Sequence, residues 1–278
     1  MCDSIVLPIP KQHATHELEH PHHVNTWTGR SPRIFALHGF TGVGDDYCAL
    51  ARALGHTFVA PDLLGHGRSA APQTVQAYEA STIIKHLATL ANPNDVLMGY
   101  SLGARLALEW TCSSESKPAA LVLLSGTPGI TDETLRATRQ AEDDRRAQLI
   151  RESGTTIFLK AWQQTPLIRT QERASMELKE RMDQGRALHQ AHGLANVVAS
   201  LSPGRMPDRL ADLASIEIPT LLISGREDHK YTELAEMMQR ALPNAHSVSL
   251  EGIGHAPHIE APEETSHVIR QFLDEVSG

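Results

Sequence analysis

Gly99-Tyr100-Ser101-Leu102-Gly103 follows the apolar run Asp95 to Met98 and opens the helix-forming stretch Ala104 to Trp110. In such a strand-turn-helix the serine sits on a strained turn with its hydroxyl exposed, and the flanking glycines remove side chains that would collide with neighbouring backbone. The pentapeptide by itself is common by chance. Its place between a strand and a helix favours a chemical role for Ser101 over an ordinary glycine-rich turn.

Outward from this stretch, short β-branched or apolar runs recur at Arg33 to Leu37, Thr57 to Ala60, Leu121 to Leu124, Pro219 to Ser224 and Ser247 to Leu250. Segments long enough for helical crossovers separate them, as at Asp45 to Leu54, Thr74 to Leu90 and Leu102 to Cys112. That alternation predicts an α/β fold with a mostly parallel central sheet and helices on both faces. Active sites in such sheets form at the C-terminal ends of the strands. Between Pro128 and Pro203 the rhythm breaks, and charged helical pattern, Asp132 to Glu152 and Glu172 to His189, replaces strands. We read residues 128–207 as a helical lid inserted into a core formed by residues 1–127 and 208–278.

The 278 residues suffice for one such unit with a sizeable core. Apolar residues at 41% and charged residues at 21% are those of a folded chain. A formal charge of -8 without a long Lys/Arg run argues against a nucleic-acid partner, whose phosphates need clustered basic residues. Cys2, Cys48 and Cys112 are too few and too irregularly spaced for a disulfide framework or a metal-ligand set, which fits a reducing compartment. The first thirty residues lack a basic segment followed by an apolar one, and no window approaches the roughly 18 apolar residues of a membrane span. The expectation is a cytoplasmic protein. His13, His16, His20, His22 and His23 crowd the N-terminal stretch without companion cysteines or regular spacing. They read as surface histidines in an irregular first strand rather than as a metal-binding tract.

A serine hydroxyl is a weak nucleophile and base at neutral pH; it needs an imidazole within hydrogen-bond reach, which in turn needs an anion to fix its tautomer. The chain offers both, in the order Ser, Asp, His. Asp228 follows Gly225-Arg226-Glu227 at the end of one strand run, and His255 closes Glu251-Gly252-Ile253-Gly254-His255 after the next. Taken singly, Asp228 reads equally as a helix cap and His255 as a loop histidine, with Glu227 and His258 as neighbouring alternatives; the three residues together favour a catalytic triad. Oxyanion donors are expected from the backbone N–H of Leu102, at a helix N-terminus, and of Phe40, in the turn His38-Gly39-Phe40-Thr41-Gly42. Asp62-Leu63-Leu64-Gly65-His66-Gly67-Arg68-Ser69 reads as a scaffold turn.

The triad does not name the reaction. Arg105 stands four residues after Ser101, one helical turn along and roughly on the same face. The first lid helix adds Arg136, Arg139, Arg145, Arg146 and Arg151, most of which read as a solvated face, and Arg186 and Lys230 are further cations near expected pocket elements. Cations placed around a nucleophile favour a small carboxylate-bearing substrate, because arginine pairs planar carboxylates bidentately.

Several of these motifs, Leu37-His38-Gly39-Phe40, Asp62 to Ser69, Gly99 to Arg105, Thr127-Pro128-Gly129 before an Arg-rich helix, Trp162-Gln163-Gln164 and Gly225 to Lys230, resemble the 2-succinyl-6-hydroxy-2,4-cyclohexadiene-1-carboxylate synthases of menaquinone and phylloquinone biosynthesis. The resemblance covers about residues 33–275. It implies an α/β-hydrolase fold and a lyase that eliminates pyruvate from a cyclohexene bearing a succinyl group and an enolpyruvyl ether, with no metal or cofactor. It also implies Ser101, Asp228 and His255 as proton-abstracting triad and Phe40 and Leu102 as oxyanion donors. Tyr100, Arg105, Arg139, Trp162, Arg186 and Lys230 would be the substrate-binding residues. Ala104 stands where the family more often has glycine. A carboxylester or carbon-carbon bond hydrolase using the same triad is the chief rival, and a non-catalytic small-molecule receptor on this fold is the reading from another class.

Overall fold

Every second residue of a fully buried parallel strand faces the opposite side of its sheet, so such a strand must be apolar throughout. Residues 120–124, Ala-Leu-Val-Leu-Leu, obey this: Leu121 and Leu123 pack into one core, Ala120, Val122 and Leu124 into the other. The computed structural model, which describes residues 4–5 and 20–277, extends this strand into a sheet of eight. The strands are β1 (Ser4–Ile5), β2 (Val24–Trp27), β3 (Arg30–Leu37), β4 (His56–Pro61), β5 (Val96–Tyr100), β6 (Ala120–Leu124), β7 (Thr220–Gly225) and β8 (Ala245–Leu250), in the spatial order β1-β2-β4-β3-β5-β6-β7-β8. β1 and β2 join antiparallel, and every pairing from β4 to β8 is parallel.

Helices cover both faces. α1 (Cys48–Leu54) and α10 (Pro262–Ser277) bury Leu50, Leu54, Ile269 and Phe272 on one side; α2 (Ala80–Ala88), α3 (Leu102–Ser113) and α8 (His229–Ala241) bury Ile83, Leu87, Leu106 and Met238 on the other. A short α9 (Pro257–Glu260) precedes α10, and α4 (Glu133–Gln163), α5 (Pro166–Arg169), α6 (Met176–Arg186) and α7 (Ala191–Ser200) form the helical insertion between β6 and β7. α4 packs along α7, with Ala147, Ile150, Phe158 and Leu194 between them.

Local signals place most ends. Asp132 caps α4 by accepting from the Leu135 N–H, and Ser175 caps α6 by accepting from the Leu178 N–H. The expected end of the first lid helix at Glu152 falls two residues before Gly154 (φ 77°, ψ 169°), where the chain leaves helical geometry, and a second helical stretch follows to Gln163. The glycine separates two helical stretches of α4. α7 has no counterpart in the sequence reading. The N-terminal histidines are corrected: His22 and His23 are 7% and 5% exposed, not surface residues, and His22 donates to the Asp62 carbonyl at 2.9 Å. His13 and His16 lie outside the described residues. Among the described residues, no helix is long and apolar enough to cross a membrane.

Leu121 is fully buried at the centre of the sheet. Its replacement by alanine should lower the unfolding free energy by about 2–5 kcal/mol in urea titrations, since it leaves a cavity the sheet cannot close.

Candidate active site

At the C-terminal end of β5 the chain must reverse into α3 within one residue. Ser101 does this with φ 51° and ψ -104°, a left-handed conformation rare for a residue bearing a Cβ. It is held there by its N–H bond to the Leu124 carbonyl (2.9 Å) and by its own carbonyl accepting from Arg105 N–H (3.1 Å). The glycines permit the contact: a Cβ on Gly103 would strike the Leu37 carbonyl, and one on Gly99 would strike the Gly103 carbonyl.

Two further strand ends converge on Ser101. Asp228, after β7, caps α8 through Oδ1 and accepts at Oδ2 from His255 Nδ1–H at 2.5 Å. That bond fixes the tautomer, leaving Nε2 to accept from the Ser101 hydroxyl at 3.0 Å. Asp228 is therefore both helix cap and imidazole partner. His255 is 1% exposed, with the Tyr231 ring 4.5 Å away on one side and the Tyr100 ring 5.3 Å away on another. The alternatives lie elsewhere: Glu227 pairs with Arg173 at the surface, and His258 packs 4.4 Å from Tyr100 behind the site.

Ser101 and His255 open into a cavity of about 150 Å³ between the sheet and the insertion. Phe40, Tyr100, Leu102, Arg105, Arg139, Trp162 and Lys230 all line it. Leu102 is the first residue of α3, where a backbone N–H has no intrahelical acceptor. Trp162 stacks on Phe158 at 5.9 Å and meets Phe40 edge-on at 5.7 Å; its indole N–H is buried without a hydrogen-bond partner among the described residues. Arg105 donates to the Leu201 carbonyl at 2.5 Å, and burial pulls its guanidinium down to about 10, which leaves it charged at neutral pH.

The sequence profile of the alpha/beta hydrolase family matches residues 34–268, from β3 into α10. The chain belongs to the alpha/beta hydrolase family. Among its relatives, a Bacillus subtilis (strain 168) protein provisionally named 2-succinyl-6-hydroxy-2,4-cyclohexadiene-1-carboxylate synthase is 29% identical over 251 residues, 88% of this chain and 92% of its own. The synthase of that name from Salmonella paratyphi C is 29% identical over 255 residues, 87% of this chain and 94% of its own. Among solved structures, MenH from S. aureus superposes with a TM-score of 0.86 at 26% identity, covering 92% of this chain and 99% of that one.

One expected site residue of this α/β-hydrolase is not brought to the cavity. Arg186, 9% exposed, is turned away and donates to Gln171 Oε1 at 2.7 Å, beside a separate recess lined by Gln164, Lys179 and Asp183. It sits on the last turn of α6, whose buried face is directed at Val43 and Gln171 rather than at Ser101. Conversely, Asp143, which the sequence reading did not name, and Arg146, which it grouped with the lid arginines outside the binding set, line the cavity. Asp143, 1% exposed, accepts from Arg139 Nε at 2.8 Å, from Ser202 Oγ at 2.7 Å and from Arg146. The i, i+4 and i, i+3 spacings were the available signal. Removing the carboxylate in Asp143→Ala should cost about 1–3 kcal/mol of stability in thermal or urea unfolding, because three donors lose one shared acceptor while the arginines stay partly solvated.

Burial lowers six imidazoles: His22 and His189 to about 4, His38 and His258 to about 3, His66 well below its ordinary value and His56 below it. Each binds fewer protons folded than unfolded, so its contribution is present above pH 6.5 and is lost as the pH falls through the folded values. Asp46, pushed up to about 7 by burial, and Asp62, also raised, act in the opposite sense. Six imidazoles outweigh two carboxyls. Urea midpoints should therefore fall steadily from pH 7 to pH 4, and a midpoint that rises on acidification would contradict this balance.

Proposed function

We propose that this chain is a carbon-oxygen lyase that eliminates pyruvate from 2-succinyl-5-enolpyruvyl-6-hydroxy-3-cyclohexene-1-carboxylate, giving 2-succinyl-6-hydroxy-2,4-cyclohexadiene-1-carboxylate in quinone biosynthesis. The observation that carries this reading is the company Ser101 keeps: Arg105, Arg139, Arg146 and Lys230 surround one small cavity with it. A substrate with several carboxylates uses such cations, whereas an ester of uncharged acyl and alcohol parts does not. The two relatives that bear the synthase name, each spanning nearly the whole chain, support the same choice over an ester or carbon-carbon bond hydrolase. Free Cys48 and Cys112 agree with a cytoplasmic location.

In this reading Asp228 orients His255, and His255 takes the Ser101 proton as Ser101 Oγ removes a ring proton next to the substrate carbonyl. The electron pair moves onto that carbonyl oxygen, where the N–H groups of Phe40 and Leu102 receive the developing charge. Its return through the ring breaks the ether C–O bond. Enolpyruvate leaves, takes up the proton at carbon and becomes pyruvate, so no water is consumed. Arg105, Arg139, Arg146 and Lys230 hold the carboxylates, and the Trp162 indole N–H, buried without a hydrogen-bond partner among the described residues, is available to a substrate oxygen.

The test is pyruvate release from the enolpyruvyl precursor, followed with a coupled lactate dehydrogenase assay. Ser101→Ala should lower kcat about 100-fold or more, the scale of a lost general base. Arg105→Ala should raise KM as well as lower kcat, since it removes a carboxylate partner. Hydrolysis of nitrophenyl esters well above background, with no pyruvate released by the parent enzyme, would favour the hydrolase instead.

A further inference from the structure

The turn that carries Phe40 is held by three imidazoles. The Gly39 carbonyl accepts from His38 Nδ1–H at 2.8 Å and from the Gly42 N–H at 3.0 Å. The Thr41 N–H donates to His66 Nε2 at 3.3 Å, and the Thr41 carbonyl accepts from His189 Nε2–H at 3.0 Å. The second nitrogen of each ring reaches the loop after β4: His38 Nε2 accepts from the Leu63 N–H at 2.9 Å, His66 Nδ1–H donates to the Leu64 carbonyl at 3.2 Å, and His189 Nδ1 accepts from the Gly67 N–H at 2.9 Å. The rings are neighbours, His66 lying 4.9 Å from His38 and 5.4 Å from His189. His38 and His66 belong to the core, whereas His189 comes from the insertion, between α6 and α7.

These bonds constrain the Phe40 N–H directly. A trans peptide is planar, so pinning the Gly39 carbonyl on one side directs the N–H of the same peptide to the other. The next residue, Thr41, is 2% exposed and has φ 64°, a conformation that costs a β-branched residue about 1–2 kcal/mol and persists only where its surroundings impose it. His66 and His189 supply that imposition by satisfying both backbone groups of Thr41. Without His189, the Thr41 carbonyl is a buried acceptor with no partner, and the residue gains by relaxing out of the left-handed region. The Phe40 peptide would then lose its fixed direction.

We propose that His189 is a positioning residue: through Nε2–H on the Thr41 carbonyl, the insertion holds the Phe40 N–H in its donor orientation. This rests on reading that N–H as an oxyanion donor in pyruvate elimination. It has a functional corollary. α4, which carries Arg139 and Arg146, and His189 belong to the same insertion, so the element that grips the substrate's carboxylates also completes the electrostatic site.

Two polar replacements separate the two bonds of His189. In His189→Asn the amide occupies the place of Nδ1, keeping a partner for the Gly67 N–H but falling short of Thr41; in His189→Gln the amide nitrogen occupies the place of Nε2 and can still donate to the Thr41 carbonyl. The proposal expects kcat for pyruvate release to fall about tenfold or more in the Asn variant, with KM changed less than about twofold, and to stay within about threefold of the parent in the Gln variant, because a misdirected oxyanion donor weakens the transition state alone. Amide hydrogen exchange in the segment 38–42 should accelerate in the Asn variant and not in the Gln variant. Equal kcat in all three proteins, equal losses in both variants, a loss confined to KM, or unchanged exchange in the Asn variant would overturn it. A parent enzyme that releases no pyruvate overturns the proposed reaction instead, and the exchange measurement still decides whether His189 clamps the turn.

Discussion

The arrangement depends on one close backbone contact, the passage of α3 under the end of β3 where Gly103 touches the Leu37 carbonyl. No side chain fits between them. The contact forces Ser101 into its left-handed turn and lifts its hydroxyl out of the sheet, towards the ends of β7 and β8. Parallel pairing of β5, β6, β7 and β8 brings those ends to one side, so Asp228 and His255 arrive at the serine from residues far along the chain. The hydrogen-bonded chain from Asp228 to Ser101 is thus a consequence of sheet order.

Electrostatics then sets the character of this site. The protein carries a net charge of -8, yet cations gather around the serine. Unpaired, they would repel one another in a partly enclosed cavity. Asp143 relieves this by accepting from Arg139 and Arg146 at once, while Arg105 is anchored on the Leu201 carbonyl. The guanidinium groups are held in place before a substrate arrives, which reduces the ordering that binding requires.

The insertion is bound to the core by polar contacts to its loops as much as by apolar packing. His189 bridges Thr41 and Gly67, His192 donates to the Ala71 carbonyl at 2.7 Å, and Arg181 pairs with Asp45 at 3.0 Å. These contacts fall on the segments after β3 and β4, the first of which contributes Phe40 to the cavity wall. The same loops place Asp62, whose carboxylate accepts from the Gly44 and Arg68 N–H groups and so joins the two turns as a scaffold.

The sheet, the elbow and the order Ser101, Asp228, His255 were legible in the chain because each is written locally: a run of five buried residues, two glycines around a serine, a short polar residue after a strand. The roles of the histidines and lid arginines were not local. Arg139 and Arg146 face the cavity, whereas Arg136 turns to the Gly204 carbonyl, Arg151 to Asn196 and Arg145 to solvent. Arg186 is drawn away by Gln171, and His22 and His23 are covered by the loop that follows β4. Sequence alone determined the strands β3 to β8 and the serine turn between β5 and α3, though not α7, since backbone geometry responds to near neighbours. Only the tertiary structure decided which face of each insertion helix meets the core, because that choice depends on contacts between residues tens to more than a hundred positions apart.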